Sequence, residues 1–104
     1  MKTKLSVLER IIFLGVMPTT GGVLDLRVSQ DLRQRVGFDA KEQTELEMNQ
    51  ADNKVNWDQE KATEKEFEFE LKEIEVVRNA LKKLNDSEQL TDNHVPLWDK
   101  FMEV

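Results

Sequence analysis

Among the 104 residues, the side chains that could do chemistry are one histidine, 21 carboxylates and 15 cationic groups, and spacing decides what each could do. His94 has no hydroxyl or acid placed to orient it as a general base, and Asp92 beside it fits a capped turn equally well. The densest acidic run, EKEFEFE over 64–70, alternates glutamate with phenylalanine, so its carboxylates share the face opposite the apolar one. Paired acids do acid–base work when an apolar setting separates their pKa values, and no acid here is marked for that. DNKVNW over 52–57 lacks the alternating ligands and the sixth-position glycine of a calcium loop. The TTGG turn over 19–22 lacks both glycine-rich phosphate-binding patterns and follows a helix rather than a strand. With no cysteine, disulfides, thiolate metal sites and thiol catalysis are excluded, which suits a reducing cytosol. The expectation is a non-enzymatic protein with no cofactor and no metal.

The elements that would position these residues follow from apolar periodicity. A first helix is expected over 5–15, with Leu5, Leu8, Ile12 and Ile11 inward and Ser6 and Glu9 spaced as a capping box. Glu9 and Arg10 interrupt the apolar run that follows Lys2 and Lys4, so this is read as a core helix, not a signal or membrane span, in a cytoplasmic protein. Leu24, Val28, Leu32 and Val36 recur every four residues and predict a helix over 23–36, with Gly37 as a left-handed cap; LDLRV alternates well enough to be a short strand instead. Asp39 and Glu42 open a third helix over 40–48, with Phe38 placed for a hydrophobic staple and Leu46 the one strong apolar residue. NQADN reads as a turn, KVNWD as a strand with Val55 and Trp57 on one side, and QEKATE as a loose hairpin loop.

From 64 to 85 the apolar period changes. Phe67, Phe69 and Leu71 alternate with glutamates as in a half-buried strand; Leu71, Ile74, Val77, Leu81 and Leu84 then follow one helical stripe. A single helix over 62–85 is the competing reading, but it would leave Phe69 exposed beside Val76. Thr91 caps a last helix near 95–102, with Pro96 in its first turn and Leu97, Phe101 and Trp98 closing over the core. The chain reads as one α+β domain over 1–104, mostly helical, with about five helices and one antiparallel β-hairpin.

Net charge is −6 and unevenly divided. Residues 1–38 carry six basic groups (Lys2, Lys4, Arg10, Arg27, Arg33, Arg35) against three acids (Glu9, Asp25, Asp31), or +3, which leaves −9 for residues 39–104. Either the halves attract within one fold or the surplus faces a partner. The leading expectation is a protein-binding surface in the carboxylate-rich stretch, through Trp57, Glu42, Glu45, Glu66, Glu68 and Glu70. Three helices followed by a ribbon is also winged-helix order, with 40–48 in the recognition position. There Asp39, Glu42, Glu45 and Glu47 against Lys41 would repel phosphate, so a nucleic acid would have to meet Lys2, Lys4, Arg27, Arg33 and Arg35. A structural homo-oligomer would use Val76 and Ala80, which lie off the central helix's stripe.

Several stretches resemble a group of small, uncharacterised proteins encoded by bacteriophages and prophages. They are LSVLERIIFLGVMP at the start, the glycine turn, the leucine-spaced segment ending in RVGF, the lone VNW, ALKKLNDSEQLT, and LWDKF at the end. The resemblance spans most of the chain and its motifs are structural. It implies a bacterial or phage cytosolic setting and a partner-binding role, and no reaction; the expectation is an acidic interaction protein that modulates host machinery.

Overall fold

The computed structural model describes residues 1–51 and 54–102. Its elements are β1 (Lys2–Leu5), α1 (Val7–Val16), α2 (Val23–Val36), α3 (Ala40–Glu45), β2 (Asn49–Ala51), β3 (Lys54–Asn56), β4 (Lys65–Glu68), α4 (Leu71–Asp86) and α5 (Val95–Met102). A 3-10 turn, Asp92–His94, leads into α5. The protein is an α+β fold: helices dominate, and the four described strands form two antiparallel pairs, β1 with β4 and β2 with β3.

Ser6 sets where extended chain becomes helix. Its Oγ accepts the Glu9 amide at 3.1 Å while the Glu9 carboxylate accepts the Ser6 amide at 2.8 Å, the expected capping box. Because α1 starts after Ser6, Leu5 belongs to β1, and the inward stripe is Val7, Arg10, Phe13 and Val16. Leu8, expected inside, is exposed, and Ile11 and Ile12 are half-buried.

The strand of Phe67 is present, and its partner is the N-terminal strand. Lys2 pairs with Glu68, Thr3 with Phe67, Lys4 with Glu66 and Leu5 with Lys65. Met1 and Phe69 extend the ladder by exchanging backbone hydrogen bonds of 3.0 and 2.8 Å. Alternation along an antiparallel ladder then makes Lys2/Glu68 and Lys4/Glu66 non-hydrogen-bonded pairs, whose side chains stand close together on the outer face. Their outward-pointing carbonyls meet cations: Glu68 O accepts from Arg35 Nη2, and Lys4 O from Lys100 Nζ at 2.6 Å.

Phe69 reaches the centre of the core, its ring centroid 5.8 Å from Phe13 and 5.3 Å from Phe101. Leu5, Leu32, Val36, Val77, Leu81 and Leu97 close around this aromatic cluster. Helix α4 buries Ile74, Val77 and Leu81 as expected, and Val76 as well, so the apolar surface assigned to a homo-oligomer is largely inside the chain; Ala80 is half-buried against the core. Leu71 is 87% exposed, against expectation. The strand ends at Glu68 and the helix begins at Leu71, so the intervening bend takes Leu71 off both the strand face and the helical stripe.

Helix α2 spans the expected residues and excludes the short-strand alternative. It buries Leu32, Val36 and Ser29, whose hydroxyl donates to Pro18 O at 2.9 Å, while Leu24 lies exposed in the first turn. Gly37 ends this helix with φ −65°, so its role is not a left-handed cap. A Cβ there would stand 2.6 Å from Arg33 O, so close approach is what requires glycine. The left-handed non-glycine residues are Glu47 (φ 53°) and Glu88 (φ 55°), just past α3 and α4, where amide bonds from Met48 to Gln43 O and from Gln89 to Leu84 O finish each helix. Helix α3 stops at Glu45, short of the expected Met48.

The expected hairpin between the strands of Trp57 and Phe67 does not form. Asn49 pairs with Asn56, Gln50 with Val55 and Ala51 with Lys54, so part of the expected NQADN turn is strand; its tip, Asp52 and Asn53, lies outside the described residues. A wing of the winged-helix kind is therefore not made by those strands. The last helix forms as expected, Pro96 in its first turn and Leu97 and Phe101 buried. No helix among the described residues is long and apolar enough to cross a membrane.

These placements separate side chains that sequence spacing treats alike. In urea unfolding, Leu81→Ala is expected to cost about 2–5 kcal/mol and Leu71→Ala less than about 0.5 kcal/mol. Gly37→Ala is expected to cost about 1–3 kcal/mol through its clash with the Arg33 carbonyl; equal losses at Leu71 and Leu81 would contradict the bend at the start of α4.

Candidate interaction surface

The most buried charge among the described residues is Arg10, 1% exposed on the inward stripe of α1. A guanidinium out of water is tolerated only when its donors are met. Nε donates to Val36 O at 2.9 Å and Nη2 to Gly37 O at 2.8 Å, while Nη1 and Nη2 hold the two oxygens of Glu42 at 2.7 and 2.9 Å. The Phe38 ring lies against the guanidinium, 3.9 Å away, so Phe38 packs on a cation where a hydrophobic staple was expected. One side chain thus joins α1, the end of α2 and the first turn of α3. Asp39 caps α3 by accepting the Glu42 amide at 2.8 Å, but the return half of the expected capping box gives way to the arginine. Lys65 stands 3.7 Å from the same carboxylate.

Further ion pairs cross the molecule, among them Lys72 of α4 with Asp25 of α2 at 3.2 Å. Lys100 Nζ reaches Glu9 at 2.8 Å, tying α5 to the first turn of α1. Arg35 pairs with Glu73, whose other oxygen accepts the Glu70 amide at 2.8 Å and so fixes the start of α4. Sequence spacing missed Arg10, although its distance of three residues from both Val7 and Phe13 was a usable signal: a charged residue in register with an apolar stripe needs a buried partner.

The residues singled out for partner contact are therefore divided. Glu42 is engaged by Arg10 and Lys65, and the backbone of Glu70 begins α4. Glu66 and Glu68 are exposed on β4, each directly across the ladder from Lys4 and Lys2. Glu45 is exposed beside α3's end, on the rim of the cleft that also holds Lys61 and Glu64. Glu47 reaches Lys61 at 3.5 Å. Trp57 is half-buried and lies outside the hydrophobic core, whereas Trp98 packs against that core.

The basic set is divided in the same way. Arg35 is committed to Glu73, Asp31 and Glu68 O, and Lys2 and Lys4 face the β4 glutamates. Arg27 and Arg33 line a shallow depression on α2 with Gln30, Asp31 and Gln34. His94 accepts the Thr91 amide through Nδ1 at 3.0 Å, a capping contact at the turn before α5. Among the described residues no group of three or more acidic or imidazole side chains is placed to hold a metal ion. Comparison with protein-family models, with curated proteins and with solved structures finds no match.

The ion pairs shift two carboxyls. Hydrogen bonds from Arg10 hold the Glu42 carboxyl below its ordinary 4.5, over the opposing effect of burial, with the charges of Arg10 and Lys65 adding to the shift. Burial pushes the Glu9 carboxyl up, but the hydrogen bond and charge of Lys100 and the bonds from Ser6 together bring it below 4.5. Both groups release their protons more readily folded than unfolded, so their contribution to stability is present above the unfolded value and is lost as pH falls through the lowered folded values. Urea midpoints measured from about pH 7 to about pH 3 should fall with acidification, and Glu9→Gln and Glu42→Gln should each flatten that fall. An unchanged slope in both variants would remove these carboxylates from the acid sensitivity.

Proposed function

We propose that this chain is a non-enzymatic, acidic protein-binding module. It presents the exposed carboxylates of the stretch between α2 and β4, with Trp57 beside them, to a basic surface of a protein partner in a bacterial or phage-infected cell. The single observation that supports this reading is the placement of Glu45, Glu47, Glu60 and Glu64, all exposed, on a stretch none of whose described residues joins the main hydrophobic cluster. Charges in such a position steer association and set its salt dependence more than they hold the fold. The half-buried indole of Trp57 supplies apolar area at the rim of the same stretch. The bacterial and phage setting comes from the sequence resemblance. Binding of nucleic acid through the basic N-terminal half receives less support, because Arg35 is committed to Glu73 and Lys2 and Lys4 stand opposite glutamates.

Immobilised wild-type protein and a Glu45→Lys/Glu47→Lys/Glu60→Lys variant, exposed to the same bacterial lysate at low salt, test the proposal. A specific partner is expected on the wild type alone, with at least about a tenfold loss of recovery on charge reversal and a similar loss on added salt. Equal recovery on both proteins would exclude the acidic surface as the binding site.

A further inference from the structure

We propose that residues 39–51 and 54–64 belong to an arm hinged on the body of the protein, closed by the Arg10–Glu42 ion pair and able to swing away as a unit. The hydrophobic core is contiguous without it. Core residues come from β1, α1, α2, β4, α4 and α5 and their flanks, and among the described residues none of the cluster lies between Val36 and Phe67. Helix α3 buries no residue, and β2 and β3 are exposed throughout. Leu46 is the arm's one buried apolar side chain, and it stands apart from the core, sharing the lining of a small cavity with Val7 and Arg10. That cavity, about 180 Å³, lies on the underside of the arm, so the arm and the body meet there through incomplete packing.

What holds the arm together is mostly within it. The Asp58 amide donates to Leu46 O at 2.8 Å, Lys61 pairs with Glu47 at 3.5 Å, and β2 pairs only with β3. What holds it to the body is mostly one carboxylate, Glu42, gripped by Arg10 of α1 and approached by Lys65 of β4. Opening would leave no charge stranded in an apolar interior. Arg10 keeps its bonds to Val36 O and Gly37 O, both on the body side, and water replaces Glu42 on the remaining donors. Gly37, extended at the end of α2, stands at one junction, and residues 62–64, outside any helix or strand, stand at the other. A segment with few buried apolar contacts and its own internal bonds is the kind that opens below the global unfolding free energy.

This inference stands apart from the binding proposal, since an arm that binds nothing would still open. Native-state hydrogen exchange on the full chain, read by mass spectrometry of peptides, decides it. In the wild type the amides of α3 and of β2–β3 are expected to share one protection level, at least about a hundredfold below that of α4. Glu42→Gln should lower protection in the arm by about tenfold more while leaving α4 unchanged. Leu46→Ala should act in the same direction and on the same peptides. Equal protection in the arm and α4 of the wild type would overturn the hinge. Equal loss in both regions on Glu42→Gln, or none in the arm, would overturn the latch.

Discussion

The fold depends on one long-range pairing, that of β1 with β4. A two-stranded ribbon is barely stable in water by itself, and this one persists because its inner face is the floor of the core. The ladder places Phe67 and Phe69 beneath α1 and α5, fixes where α4 begins, and brings Met1 within hydrogen-bonding distance of Phe69. The dependence is mutual. Without Phe13 and Phe101 to cover it, the ribbon would have no apolar reason to form, and without the ribbon those rings would lose Phe69 as their common neighbour.

Charge complements this apolar arrangement rather than competing with it. The excess of positive charge in residues 1–38 and of negative charge beyond them is partly consumed inside the molecule. Arg10 meets Glu42, Arg35 meets Glu73, and Lys2 and Lys4 face Glu68 and Glu66 across the ladder. The most buried of these cations is Arg10, whose planar fork meets the Glu42 carboxylate through two nitrogens and still reaches backbone carbonyls, a geometry that lysine cannot reproduce. Lysine appears where the ammonium stays partly in water, as at Lys100.

Much of this architecture was legible from local pattern. The capping box at Ser6, the extent of α2, the change of period between Phe67 and Ile74, and Pro96 in the first turn of α5 all follow from spacing alone. What local pattern did not carry was pairing. KTKL holds one strong apolar residue, and nothing within four residues of it announces a partner 60 or more positions away. Strand β3 was visible in KVN, but its partner is the three-residue segment just before it, whose polar sequence reads as a turn. The same limit applies to the candidate surface: the acids could be counted, yet whether Glu42 is bound within the fold while Glu45 stays free of the core depended on where an arginine on another helix came to lie.

The cations on the two outward carbonyls of the β1–β4 ribbon bear on how this protein behaves in a crowded cell. An open ribbon exposes two rows of unpaired backbone groups, a template on which a second copy can add strands and start a fibril. Here Arg35 occupies the Glu68 carbonyl on one side and Lys100 the Lys4 carbonyl on the other, so an incoming strand would have to displace an ion-paired side chain to extend along either edge. The contacts that orient α2 and α5 therefore also act as stoppers against cross-β self-assembly.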